Sequence, residues 1–173
     1  MEETRTKLKR IKIDSIYGKK KHFNAADRIE RWHYWLGIPL VLINIITGSV
    51  LCYVITDGQT SWIKFIPLFL SLIATVLSGL QTFFNFQKKV EGHRRIGNKY
   101  LFVMKKCDRL EGYIVDGIIE KNSIAEEVEI IAAEANSINQ EAESFPTSKK
   151  DYDIARQGVL KGEESYSEKD LEL

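Results

Sequence analysis

Few side chains in this 173-residue chain are of types that carry chemistry, and their spacing decides what they can do. His22, His33 and His93 make no H-E-x-x-H or other metal-ligand spacing, and Cys52 and Cys107 make no C-x-x-C pair. There is no glycine-rich phosphate loop and no G-x-S-x-G, so neither enzyme activity nor a metal or cofactor is expected. Glu91-Gly92-His93 reads as a solvated helical turn, because nothing nearby completes a constellation. What does recur is a polar stripe. Ser71, Thr75, Ser78, Thr82 and Asn85 are spaced 4, 3, 4 and 3 residues apart. On a helix they share an arc of about 80°. Two readings stand side by side. The hydroxyls can bond their own preceding carbonyls or seal a helix contact, or several copies can arrange the stripe around a water-filled lumen.

The element that must position this stripe is an apolar run, Phe65 to Phe86, preceded by a similar run from Trp35 to Ile55. Neither contains Asp, Glu, Lys, Arg or His. Leu, Ile, Val and Phe number 12 in the first and 13 in the second. Each run is long enough to cross about 30 Å of hydrocarbon as a helix, and insertion gains each on the order of 4 to 7 kcal/mol. The apolar residues surround each helix, which calls for an apolar medium on all sides. The chain is therefore expected to be an all-α membrane protein built on a two-helix transmembrane hairpin. In the first span Gly37, Asn44 and Gly48 share a face that suits close helix packing, with an amide to bond a partner. Pro39 predicts a mild kink.

The flanks set the topology. Lys19, Lys20, Lys21, Arg28 and Arg31 precede the first span, and Lys88, Lys89, Arg94 and Arg95 follow the second. These groups suit anionic headgroups and place both termini in the cytoplasm, with the protein in the inner membrane. Residues 1–34 hold ten Lys or Arg against five Asp or Glu, whereas residues 111–173 hold six against sixteen. The net charge of +1 argues against a nucleic-acid partner. Cys52 and Cys107 are not expected to meet in a disulfide. The 34 mostly polar residues before the first span predict an uncleaved anchor.

Outside the spans, four segments are expected: basic N-terminal helices over 1–34, the spans over 35–86, a cytoplasmic helical hairpin over 87–146, and a short helix with a mobile acidic tail over 147–173. Thr4 to Ile16 is amphipathic, and Gly18 with the lysine run interrupts it. Asn24 then caps a new helix. The second span is expected to continue without a break into a near-heptad seam of Ile96, Tyr100, Val103, Cys107, Leu110, Ile114 and Ile118. Ser123 and Glu126 form a capping box for a second seam: Ile124, Val128, Ile131, Ala135, Ile138, Ala142 and Phe145. Neither stripe is stable alone in water, so the two are expected to pair antiparallel. A last helix over Asp151 to Lys161 would pack through Tyr152, Ile154 and Val159, with residues 162–173 mobile.

The basic helix, the tight two-span hairpin and the stretch S-G-L-Q-T-F-F-N-F-Q-K-K-V-E-G-H-R-R-I-G-N-K-Y (Ser78 to Tyr100) resemble the SLATT domains, the SMODS and SLOG-associating two-transmembrane effector domains of bacteria. The resemblance covers roughly residues 20–145, and its Phe83 to Tyr100 stretch looks closest to the fifth subfamily. It implies a membrane-perforating effector of a conflict (anti-phage) system, a homo-oligomer in the lipid bilayer, triggered by a nucleotide second messenger or by a sensor protein encoded nearby. The family has no catalytic motif. Two alternatives stay open: a membrane-anchored helical interaction module without pore activity, and a holin-like lysis protein.

Overall fold

The computed structural model describes residues 2–57 and 62–165. The expected link at 58–61 and the tail from 166 lie outside them. The element order is α1 (Glu2–Asp57), a short 3-10 turn (Trp62–Lys64), α2 (Phe65–Phe84), α3 (Phe86–Val115), α4 (Lys121–Ala142) and α5 (Lys149–Leu160). The architecture is all-α, as the apolar runs and heptad spacings imply. The helices divide into two compact units, one of residues 28–89 and one of residues 1–27 with 90–173.

The 28–89 unit is the hairpin of spans. Among the described residues two helices are long and apolar enough to cross a membrane, and no residue in the apolar window of the first is buried within the chain. Ile38, Val41, Leu42, Ile45, Ile46, Leu68, Phe69 and Leu72 all face outward. Apolar side chains left exposed along the length of both helices are stable only in hydrocarbon, where each helix satisfies its own backbone. Pro39 sits inside α1 without ending it. The expected unbroken passage from the second span into the next helix does not occur. Asn85 stands between α2 and α3 in the left-handed conformation, with φ 45° and ψ 51°. Its N–H still donates to the Gln81 carbonyl (3.1 Å), and the Asn85 carbonyl accepts from the Lys89 N–H (3.3 Å), so the interruption is one residue long. Asparagine tolerates this conformation better than most residues. Asn85 is thereby removed from the regular face that carries the other four polar residues.

The 1–27/90–173 unit holds the core. α3 and α4 pair antiparallel through the predicted seams: Ile96, Tyr100, Val103, Cys107, Leu110 and Ile114 meet Ile124, Val128, Ile131 and Ile138, with Leu8 of α1 on the same cluster. Ile118 does not join. Gly117 (φ +68°) ends α3 one turn earlier, the Ile118 N–H closes back on the Tyr113 carbonyl (3.1 Å), and Ile119 takes the packed position. The Ser123–Glu126 capping box is not used. α4 starts at Lys121 after an extended Glu120, and the Ile124 N–H bonds the Glu120 carbonyl, so Ser123 lies already inside the helix. A capping box forms instead at Ser148 and Asp151, opening α5. α5 packs through Asp151, Ala155 and Gly158, and leaves the expected Tyr152 and Ile154 exposed.

α1 also departs from expectation, since it runs unbroken through Gly18, the lysines and Asn24. A glycine inside a helix costs about 1 kcal/mol, and here packing offsets it. A Cβ at Gly18 would lie 2.8 Å from the Tyr100 ring, so the missing side chain is the space Tyr100 occupies. Asn24 caps nothing and donates its amide to the Asp151 carbonyl of α5 (3.0 Å).

Candidate functional site

Within the span unit, α1 and α2 flank a groove of about 830 Å³ lined by Asn44 and Leu40 on one side and Ser71, Thr75, Ser78 and Thr82 on the other. The structure thus brings the two polar faces singled out in the sequence into one place. Heptad spacing explains why: Ala74, the small residue between the hydroxyls, is buried at the helix contact, and Ser71, Thr75, Ser78 and Thr82 stay exposed beside it. Ser71 donates to the Leu68 carbonyl (2.8 Å), Thr75 to Ser71 (2.8 Å) and Thr82 to Ser78 (3.0 Å). Each hydroxyl has thereby placed its proton and keeps acceptor capacity for a further donor. Among the described residues nothing bonds the Asn44 amide. Gly37 does face α2: a Cβ there would lie 3.0 Å from the Gln81 amide nitrogen, which itself reaches the His33 carbonyl (3.5 Å). Gly48 meets no neighbour within 4 Å.

The basic flanks have varied placements. Lys19 and Lys20 are held by Glu164 and Glu163 of the segment after α5, and Lys21 is half-buried. Arg94 lies 3.8 Å from Asp27, and Arg95 bonds Glu141 (2.9 Å) together with Lys99. The Lys99 hydrogen bond, then Arg95, holds the Glu141 carboxyl below the ordinary range. Arg28 is half-buried, Arg31 lines a small apolar hollow with Trp35 and Ile38, Lys88 is exposed, and Lys89 stands 5.8 Å over the Phe84 ring. Between α3 and α4 runs a second groove of about 750 Å³, with Arg94, Arg95 and Lys99 above Phe102, Val103 and Ile138.

One feature was not visible in the sequence. The buried rings of His22 and His93 meet Nδ1 to Nδ1 at 3.0 Å, so one nitrogen donates and the other accepts. Burial, then the neighbouring His93 and Lys21, pushes His22 down from 6.5 to about 4, against a smaller opposing pull from Asp151. The turn at Glu91-Gly92-His93 is therefore packed at Gly92 and His93 rather than solvated. The reason is Phe145, whose ring stands where a Gly92 Cβ would be and meets His93 edge-on at 5.8 Å. The available signal was register: His93 is three residues before Ile96 and continues its seam backwards, while Ser15, Lys19, His22 and Ala26 repeat at 4, 3 and 4. The Cys107 thiol is pushed up to about 11, chiefly by burial, and is not a nucleophile at neutral pH. Both cysteines are free. Among the described residues no group of three His, Cys, Asp or Glu is placed to hold a metal.

The geometry is that of a membrane protein with a polar groove between two spans and a helical unit of packed seams. No curated protein and no solved structure matches the chain. A family model does, over residues 5–172: the SMODS and SLOG-associating 2TM effector domain family 4. The match is to the fourth family of this group, not the fifth subfamily that the Phe83 to Tyr100 stretch suggested.

Proposed function

We propose, for a chain that belongs to the SMODS and SLOG-associating 2TM effector domain family 4, that it is a membrane effector of a bacterial conflict system whose copies assemble around the Asn44 groove into a water-filled pore. The observation that carries this reading is the groove itself, with an unsatisfied amide and a row of hydroxyls open on a surface that is otherwise apolar. A primary amide in lipid gains roughly 1 to 2 kcal/mol from an interhelical bond, so Asn44 favours any arrangement that gives it a partner. The two spans of one copy cannot enclose a lumen, whereas several copies with this face inward can. Dye-loaded vesicles carrying the full chain test it. Leakage should appear with the parent protein and fall at least tenfold when Ser71, Thr75 and Thr82 are all replaced by Leu. Unchanged leakage would remove the groove from the mechanism.

Both termini lie on the cytoplasmic side of the inner membrane, because Arg28, Arg31, Lys88 and Lys89 bracket the spans on that side. A cysteine at Thr56 in a Cys52→Ser, Cys107→Ser background should react with an impermeant maleimide from the periplasm, and labelling only from the cytosol would reverse the topology. The trigger is a nucleotide signal or a sensor protein encoded nearby. The α3–α4 groove, lined by Arg94, Arg95 and Lys99 and also by Glu91 and Glu134, is where such a signal would act, exchanging with Glu141 for Arg95 and Lys99. Leakage that no added nucleotide or partner protein raises above that of the purified chain would argue against any trigger.

One observation favours a second reading. Ser71, Thr75 and Thr82 already bond carbonyls of their own helix, so the stripe costs little in lipid and the hairpin can serve as an anchor alone. Exchanging both spans for an unrelated two-span anchor discriminates: toxicity retained after the exchange would favour the anchor.

A further inference from the structure

We propose that Lys19 and Lys20 of α1 form a binding site for phosphate groups, of a lipid headgroup or a free phosphate ester, which the end of α5 holds closed with the carboxylates of Glu163 and Glu164. The Lys19 ammonium is bonded by both oxygens of Glu164, at 2.8 and 2.7 Å, as a phosphate would hold it. Lys20 bonds Glu163 and stands 3.3 Å from Glu164 Oε1, which it shares with Lys19. Two adjacent lysines therefore share two adjacent carboxylates, with Lys19 only 9 % exposed under them. Burial works against the Lys20 charge, but the hydrogen bonds it donates to Glu163 and Glu164 outweigh it and raise its pKa. The same contact lowers that of Glu163. Lysine binds phosphate as a point charge, so a doubly charged phosphate fits a site shaped for two carboxylate groups.

The closing arm has the build of a detachable part. α5 ends in a Schellman turn: the Gly162 N–H bonds the Val159 carbonyl (3.1 Å) and the Glu163 N–H bonds the Gly158 carbonyl (3.1 Å). Gly162 takes φ +82°, which turns the chain back toward α1. Gly158 leaves room for the returning Glu163, whose carboxylate would lie 2.3 Å from a Cβ there. Yet no α5 side chain belongs to the apolar cluster of α1, α3 and α4. Between this arm and α1 run the Tyr17–Tyr152 stack at 5.7 Å, the Asn24 bond to the Asp151 carbonyl and the lysine contacts of Glu163 and Glu164. An element outside the apolar cluster opens before the core does, and an anion that competes for the lysines removes part of its hold.

The test uses the full chain in nanodiscs and reads amide hydrogen exchange across residues 149–165, with the core amides of α3 as reference. Three conditions separate the sources: phosphatidylcholine alone, phosphatidylcholine with phosphatidylglycerol, and phosphatidylcholine with millimolar pyrophosphate. Exchange in α5 should be slow in the first and at least tenfold faster in one of the others. Acceleration by phosphatidylglycerol assigns the site to headgroups, and acceleration by pyrophosphate assigns it to free phosphate. E163Q/E164Q should exchange fast in neutral discs, and K19Q/K20Q should lose the response to anions. Slow exchange under all three conditions, or E163Q/E164Q exchanging as slowly as the parent, would overturn the proposal whether or not the protein leaks dye.

Discussion

Lowering the pH should loosen the helical unit through His22, and the size of the effect follows from the structure. In the unfolded chain the imidazole has its ordinary pKa of 6.5; folded, it lies at about 4. The folded state thus prefers the neutral ring. Its contribution is intact above about pH 7 and declines as pH falls below 6.5, levelling off once the folded value is passed. At about 1.36 kcal/mol per unit, the loss is about 2 kcal/mol by pH 5 and on the order of 3 at most. Geometry explains the sign: the 3.0 Å contact needs one donor and one acceptor, and a second proton turns it into two donors facing each other. Lys21 adds repulsion, the nearby Asp151 opposes it, and the Tyr100 ring at 5.9 Å and the Phe145 ring against His93 help to bury the pair. Carboxylates titrate in the same range, with Glu141 held low by Lys99 and Arg95. The assay is therefore a comparison. Unfolding of the detergent-solubilised full chain is followed at pH 7.5 and pH 5 for the parent and for His22→Asn, and the parent should lose about 2 kcal/mol more than the variant. Equal losses, or a His22 resonance titrating near 6.5, would refute the reasoning.

Gly92→Ala should destabilise the same unit by about 1 to 3 kcal/mol in thermal unfolding, because its Cβ would enter the Phe145 ring. Gly18→Ala, where only the face of Tyr100 must shift, should cost less. Ile96→Ala should lose roughly 2 to 5 kcal/mol, since Ile96 is fully buried, while Ile118→Ala should change stability by less than about 0.5 kcal/mol, because Ile118 is 70 % exposed. Asn85→Gly should retain the α2–α3 break at little cost and Asn85→Val should lose about 1 to 2 kcal/mol, with φ 45° as the cause. Equal melting temperatures for the last pair would show that the left-handed residue is not needed there.

Much of this architecture is legible in the chain because it is written in short periods. An apolar run without charges names its own solvent, and the heptad spacings of Ile96 to Ile114 and of Ile124 to Ile138 name their own faces. The stripe of Ser71, Thr75, Ser78 and Thr82 could be placed on one side of a helix, and Asn44 on one side of another, before either was seen to line the same groove. Where the reading failed, the missing information lay on another segment. Gly18 looked like a helix break because nothing near it reveals that Tyr100, 82 residues later, fills its space. Gly92 and His93 looked solvated because Phe145 is 53 and 52 residues away. Lys19 and Lys20 gave no sign of Glu163 and Glu164, because a lysine run does not say which carboxylates will reach it.

The sequence by itself determined the all-α class, the two spans and the seams that pair, since hydrophobic transfer acts on each residue according to its own side chain and its place in a helical period. Only the tertiary structure decided which glycines are helix interiors, which histidines are buried together and which lysines are masked. Those outcomes depend on volume and charge supplied by distant parts of the chain, and close packing lets no residue settle them alone.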